Sequence, residues 1–275
     1  MRKICLKIHR WLGLALGVFM AIICFSGAAI VFQDEMKEMM PRDEVAEQQA
    51  IERGEFYRQP DPAFIDVAKK LHRYLLDVPE EPHEGMSVGR FVVGTVAICM
   101  TLILLTGIVI WWPKSKKMLK NRLAVKTSKG FRRFVYDSHV SLGIYAVLFL
   151  LLMSLTGPSW SFHWYRQGAM AVLGGDVRDM EHHGQPDRKN IQMQAHQKDG
   201  GQQMMQPNNQ FKPDGKKPPQ ALLMELHTGK WGGIVMKILY FLAAMIGGFL
   251  PISGYYMWWK RTHPIKNRQN NLLEQ

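Results

Sequence analysis

Four stretches of this chain, residues 11–32, 91–112, 140–162 and 238–259, are apolar from end to end and contain no Asp, Glu, Lys or Arg. Each is long enough to cross a bilayer, because a helix rises ~1.5 Å per residue and the hydrocarbon layer is about 30 Å thick. In lipid no water satisfies the peptide groups, so a spanning segment must be a helix or a strand of a closed barrel. Barrel strands are ~10 residues long and alternate in polarity, whereas these runs are twice that length and uniformly apolar. The expected fold class is therefore an all-α integral membrane protein with four transmembrane helices. Arg2, Lys3, Lys7 and Arg10 precede the first run, as basic residues do in a signal peptide. A signal-peptide core is only ~7–15 residues, so this run is read as a retained helix.

Charge orients the helices. The N-terminal segment carries four Lys/Arg, residues 113–136 carry nine and no acid, and the tail after Trp259 carries four, together 17 of the 35 basic residues. These segments fall on one side, which the positive-inside rule makes cytoplasmic. The setting expected is the bacterial inner membrane, with both termini cytoplasmic and the bilayer as the first partner. The net charge of +12 is then a topology signal, and nucleic-acid binding is not expected.

The chain divides into the N-terminus and first helix (1–32), an exported loop with 14 Asp/Glu (33–87), the second helix, basic loop and third helix (88–162), a polar exported loop (163–232), and the fourth helix with its basic tail (233–275). In the first exported loop Phe64, Ile65, Ala68, Leu71, His72, Leu75 and Leu76 recur at helical spacing. They predict an amphipathic helix on the outer membrane surface, with His72 on its apolar face and Pro79 and Pro82 ending it. Gly157-Pro158 predicts a kink at the outer end of the third helix. Residues 174–220 form a low-complexity loop rich in Gln, Met and Gly. Its His182, His183, His196, Met180, Met193, Met204 and Met205 are soft ligands suited to copper, or the polar residues of a solvated linker.

The four helices form two tandem two-helix repeats. In the first unit His9 opens His9-Arg10-Trp11-Leu12-Gly13, and Ser26-Gly27 follows 17 residues after the histidine. In the second, His139 opens His139-Val140-Ser141-Leu142-Gly143, and Thr156-Gly157 follows at the same offset of 17. The other helix of each unit ends alike, in Thr106-Gly107 through Trp111-Trp112 and in Ser253-Gly254 through Trp258-Trp259. A histidine, His72 or His227, precedes each of these helices. A pseudo-two-fold axis would set equivalent residues face to face, His9 against His139 at the inner border and His72 against His227 at the outer.

Two facing imidazoles are the axial ligand set of a six-coordinate electron-transfer haem, so the arrangement suggests two bis-histidine haems. Without a Cys-x-x-Cys-His they would be haem b, held by no thioether bond; Cys5, Cys24 and Cys99 imply neither a disulfide nor a metal site. Histidines at helix starts also serve as interfacial anchors, and His163 is a substitute candidate for the outer pair. Small turns such as Thr228-Gly229 let something bulky approach the backbone. Gly13, Gly17, Gly27, Gly107, Gly143, Gly157 and Gly254 first suggest close helix packing, and secondarily room for a flat macrocycle. There is no phosphate loop, dinucleotide fingerprint or hydrolase triad.

With these motifs in place, the chain resembles the PepSY-associated transmembrane family. The likeness lies in His9 through Gly13 and Ser26-Gly27, Leu71-His72-Arg73-x-Leu75-Leu76, Thr106-Gly107 through Pro113, Asp137-Ser138-His139 through Gly143, Leu155-Thr156-Gly157, and His227-Thr228-Gly229 through Arg261. It covers all four helices. The resemblance implies an iron-regulated inner-membrane protein, related to di-haem ferric-siderophore reductases that pass electrons outward and release iron as Fe(II). It carries the haem-iron positions to His9, His72, His139 and His227, with no catalytic residue beyond them. It implies a ferric chelate or siderophore as acceptor and a separate electron donor, a cytoplasmic reductase or quinol. The alternative is a non-enzymatic regulatory or assembly partner of an envelope or transport system. Larger members carry a folded exported module; neither exported loop here shows its strand pattern, which implies a minimal member.

Overall fold

The apolar runs form helices that begin ahead of them. The computed structural model describes residues 1–53, 57, 59–79, 86–174 and 218–263, and these are helical with no strand. The first span is α1 (Arg2–Ile30), followed by α2 (Gln33–Glu38), α3 (Glu44–Glu52) and α4 (Ala63–Tyr74). The second span is α5 (Val88–Trp111); α6 (Lys116–Leu123) leads to the third, α7 (Phe131–Thr156), which continues as a 3-10 turn (Gly157–Trp160). Then come α8 (His163–Val172), α9 (Pro219–Thr228), a 3-10 turn (Lys230–Gly232) and the fourth span, α10 (Gly233–Thr262). The four spans are long and apolar enough to cross a membrane, and the chain is an all-α, multi-pass membrane protein. The Met/His tract of residues 180–205 and His83 lie outside the described residues.

α1 packs against α5 and α10, and α7 packs against the same two, which closes a four-helix ring with α1 and α7 on one diagonal. Inside it Met20, Cys24, Val96, Met100, Ile103, Leu104, Ala146, Leu150 and Ala243 form one buried apolar cluster. Outside, Val18, Phe19, Leu102, Leu105, Leu148, Leu242 and Ile252 are exposed. A helix apolar on its outward as well as its inward face is suited to lipid. Close approach comes from small residues: a Cβ on Gly17 would stand 2.9 Å from the Tyr255 ring, and one on Gly248 2.6 Å from Phe25. At these positions the packing expectation for glycine holds, as it does in membrane helices generally.

The helix ends show why hydropathy underestimates the helices. The carbonyls left over at the end of α5 accept hydrogen bonds from guanidinium groups, Ile110 from Arg2 at 2.7 Å and Trp111 from Arg122, so polar residues close what the apolar run leaves open. Asp137, 3% exposed, pairs with Arg133 at 2.9 Å and accepts the Lys126 backbone N–H at 3.3 Å, fixing the entry to α7. At the opposite end Lys237 of α10 pairs with Glu35 of α2 at 2.5 Å, and Lys230 with Asp34 at 2.6 Å. Because α1 starts at Arg2 and α7 at Phe131, His9 and His139 sit about two turns inside their helices and not at the first residue.

α4 ends earlier than its prolines predict. Leu75 and Leu76 both have positive φ, 51° and 70°, and terminate the helix ahead of Pro79. At Gly157-Pro158 the third helix does not bend and continue; its α-helical part stops at Thr156 and tightens to a 3-10 turn. α9 ends at Gly229 with φ 74°. The bulk that approaches this glycine is Tyr240, 1% exposed, whose ring would lie 2.8 Å from an added Cβ and whose hydroxyl donates to the Leu226 carbonyl at 2.6 Å.

Two stability predictions follow from these ends. Gly229→Ala should lower the thermal midpoint, since a left-handed Cβ costs about 1–2 kcal/mol before any clash with Tyr240. Gly168→Ala, with nothing within 4 Å and a helical backbone, should instead be neutral or raise it, by up to about 1 kcal/mol. The second concerns pH. Burial alone would raise the Asp34 and Glu35 carboxyls, but Lys230 and Lys237 hold them below their ordinary values of 3.8 and 4.5. Such groups give stability that is present above the unfolded pKa and lost as pH falls through the folded one. The thermal midpoint should therefore fall on acidification below about pH 4.5, by the equivalent of ~1 kcal/mol or less because solvent screens both groups. Lys237→Met should start lower at neutral pH and lose less.

Candidate functional site

The ring closure brings the four histidines together in two pairs. His9 of α1 faces His139 of α7 with ring centres 6.3 Å apart, and His72 of α4 faces His227 of α9 at 6.2 Å. His9 and Ser26 are 17 residues apart on α1, roughly 25 Å of helix, and His72 docks beside Ser26. The two pairs thus occupy opposite ends of the bundle, with the apolar cluster between them. His163, the substitute, is elsewhere: it is exposed, with its ring nitrogens against Arg166 and Gln167 at 3.0 Å.

Each ring is seated on a Ser/Thr-Gly pair of a neighbouring helix. His9 lies at Thr106-Gly107 of α5, His72 at Ser26-Gly27 of α1, His139 at Ser253-Gly254 of α10 and His227 at Thr156-Gly157 of α7. The four seats differ in how closely the ring approaches the glycine: an added Cβ would stand 2.9 Å from Cε1 of His72, 3.3 Å from that of His9, 3.5 Å from that of His227 and 3.9 Å from that of His139. At Gly27 and Gly107 the missing side chain makes room for an imidazole, whereas at Gly157 and Gly254 an added Cβ would stand in ordinary contact with the ring.

The hydrogen bonds select one tautomer. His9 Nδ1 is 2.9 Å from the Ile103 carbonyl and His72 Nδ1 is 2.8 Å from that of Ile23. His139 Nδ1 is 2.7 Å from Ser253 Oγ, and His227 Nδ1 is 2.9 Å from Thr156 Oγ1. A carbonyl can only accept. Each hydroxyl donates its single proton to its own helix, Ser26 to Ile22, Thr106 to Leu102, Ser253 to Leu250 and Thr156 to Leu152, so it too can only accept from the ring. Nδ1 therefore carries the proton in all four imidazoles, and the Nε2 lone pairs are left for something else. Among the described residues those four Nε2 atoms take no hydrogen bond. Burial pushes His72 below its ordinary value and His227 down to about 3, with the charge of Arg73 acting in the same direction on both. Both rings stay neutral, the form that binds a metal.

Two neutral imidazoles at this ring-centre separation have the spacing of two ligands on one metal ion. An imidazole nitrogen bonds a first-row metal at ~2 Å, so rings on opposite sides of one ion have centres roughly 6 Å apart. Among the described residues no group of three or more His, Cys, Asp or Glu is placed to hold a metal. An ion held by one pair would take its other ligands from outside these side chains, as a macrocycle would supply. The inner pair has room for one: His9 and His139 line a cavity of about 670 Å³, within the size range of cofactor sites. Its deep wall is Met20, Met100, Leu104 and Leu150, and its mouth carries Arg10, Lys129, Arg132, Arg133 and Arg261. Gly13 lines it with nothing within 4 Å of an added Cβ. Arg10 Nε is buried without a partner, the position an anionic substituent would fill. At the outer pair Trp160 lies 5.1 Å from His227, and Arg90 donates to the Trp160 carbonyl at 2.9 Å through Nε.

The seats differ in tolerance, and this can be measured without any cofactor. Gly27→Ala should displace the His72 ring and lower the thermal midpoint. Gly254→Ala, with 3.9 Å available, should be neutral or stabilise by up to ~1 kcal/mol as glycine leaves a helix interior.

A search of curated proteins found no match to the chain. The model of the PepSY-associated TM region matches residues 6–55 and 49–261, which takes in all four spans and all four histidines. The chain belongs to the PepSY-associated transmembrane family.

Proposed function

We propose that the protein is an inner-membrane, two-haem b-type electron conduit that reduces a ferric chelate on the exported side. The observation that carries this reading is the fourfold repeat of one arrangement: opposed imidazoles about 6 Å apart, each held through Nδ1 with Nε2 unbonded, at both ends of a membrane-spanning bundle. Haem b bound at these pairs supplies a one-electron Fe(III)/Fe(II) couple.

The residues of the chain do the rest. His9 and His139 hold the inner group, and His72 and His227 the outer. The carbonyls of Ile103 and Ile23 orient His9 and His72, the hydroxyls of Ser253 and Thr156 orient His139 and His227, and each raises the basicity of Nε2 by accepting the Nδ1–H hydrogen bond. Arg10, with its buried orphan nitrogen, and the mouth cations Arg132 and Arg261 suit the carboxylates of the macrocycle. The apolar cluster excludes water and ions between the two ends. The basic end faces the cytoplasm by the positive-inside rule. The absence of any dinucleotide or phosphate-loop signature in the sequence makes the donor a separate partner, a cytoplasmic reductase or quinol. The ferric chelate as acceptor rests on the likeness to di-haem ferric-siderophore reductases.

The test is the dithionite-reduced minus oxidised spectrum of purified protein with haem quantification. About two b-type haems per chain are expected. His9→Ala and His139→Ala should each remove one, and His72→Ala and His227→Ala the other. Protein that remains colourless after haem-replete expression would sink the conduit and favour a regulatory or assembly partner.

A further inference from the structure

The four seats are built from the same residues but do not hold their rings the same way. In the first unit the close partner of Nδ1 is main chain, Ile103 at 2.9 Å and Ile23 at 2.8 Å, while the hydroxyls of Thr106 and Ser26 stand off at 3.4 Å and 3.5 Å. In the second unit the close partner is the hydroxyl itself, Ser253 at 2.7 Å and Thr156 at 2.9 Å. The carbonyls three residues earlier, Leu250 and Met153, are also within reach of these two rings. Each facing pair therefore joins one ring of each kind, His9 with His139 and His72 with His227.

We propose that Ser253 and Thr156 are positioning residues that set the orientation and donor strength of His139 and His227, whereas Thr106 and Ser26 are dispensable for His9 and His72. A backbone carbonyl of a helix is fixed by its own helix and cannot be removed by mutation. A hydroxyl turns about χ1 and can be deleted or exchanged. Each pair thus has an invariant half and an adjustable half, and both adjustable halves lie in the second unit. The redox consequence rests on the two-haem reading: loss of the closest acceptor reduces the imidazolate character of the ring, weakens its donation to Fe(III) and shifts the midpoint potential upward.

The experiment uses the full chain in detergent with 15N-labelled histidine and no added haem, so it does not depend on cofactor binding. Four Nδ1–H tautomers are expected. Ser253→Ala should move the His139 signals and Thr156→Val those of His227, with exchange of the Nδ1 proton about tenfold faster, the loss expected for one hydrogen bond. Thr106→Val and Ser26→Ala should leave His9 and His72 in place. Ser253→Thr and Thr156→Ser, which keep the hydroxyl, should restore the parent spectrum and show that the deletions act through the bond and not through misfolding. The proposal is overturned if Ser26→Ala or Thr106→Val moves its histidine as far as the second-unit deletions do. It is overturned equally if Ser253→Thr gives the same displaced spectrum as Ser253→Ala. In haem-loaded protein, Ser253→Ala and Thr156→Val should each raise one midpoint potential and leave the other. A chain that takes up no haem would refute the conduit, while the proton-exchange pattern would still decide the positioning roles.

Discussion

Everything in this bundle turns on how an imidazole is placed inside an apolar helix ring. A buried ring nitrogen without a partner costs as much as a lost hydrogen bond or more, and spanning helices have no spare backbone donors or acceptors except where a carbonyl can take a second bond. The structure meets this with a helix carbonyl, and beside it a Ser/Thr hydroxyl whose proton already belongs to its own helix. At Gly27 and Gly107 the glycine that follows removes a Cβ that would crowd the ring. The same bonds tie the elements together: His9 links α1 to α5, His139 links α7 to α10, His72 holds α4 on α1, and His227 holds α9 on α7. The groups suited to hold a cofactor are thus also the polar fasteners of the fold.

Charge is arranged around this frame without entering it. The cations of the basic end gather at the mouth of the inner cavity and at the exposed carbonyls of α5, where a helix C-terminus favours positive charge. The opposite end is closed by the neutral cluster of Asp34, Glu35, Lys230 and Lys237. Between them Ser154 donates to the Leu151 carbonyl of its own helix and accepts from the Thr101 hydroxyl at 3.0 Å. A low-dielectric middle with polar ends separates the two histidine pairs electrostatically, so that each is governed by its own local groups.

Hydropathy alone reveals the four spans, and the repeated His and Ser/Thr-Gly signatures reveal which histidines meet, because duplication converts sequence position into spatial equivalence. What the chain conceals is which seat each ring uses. The constant offset of 17 from His9 to Ser26 and from His139 to Thr156 joins residues of one helix, yet each member of that spacing belongs to a different site roughly 25 Å from the other. The crossing becomes visible only when α4 and α9 are docked. The glycines misled for a similar reason: a small residue in a span has packing as its common cause, and only the neighbour's identity distinguishes Gly17 against Tyr255 from Gly27 against His72. Helix starts were hidden because α1 and α7 begin in segments carrying basic residues, Arg2 and Arg132 among them, ahead of their apolar runs. At Gly229 the glycine signals the left-handed stop, whereas Leu75 and Leu76 adopt the same region with no signal at all.

Tandem duplication also explains a detail that a symmetric dimer of one unit would forbid. The inner pair is seated on Thr106 and Ser253, and the outer on Ser26 and Thr156, so each pair combines one serine seat with one threonine seat. In a homodimer the two seats of a pair would be the same residue, and any change would act on both rings at once. Within a single chain each half can differ, and the hydrogen-bond distances do: the second unit has the hydroxyl as its near partner and the first the carbonyl. The two histidine pairs therefore need not be chemically identical. A duplicated helix pair whose seats vary one hydroxyl at a time is a route to that difference which leaves the ligands and the packing of the spans untouched.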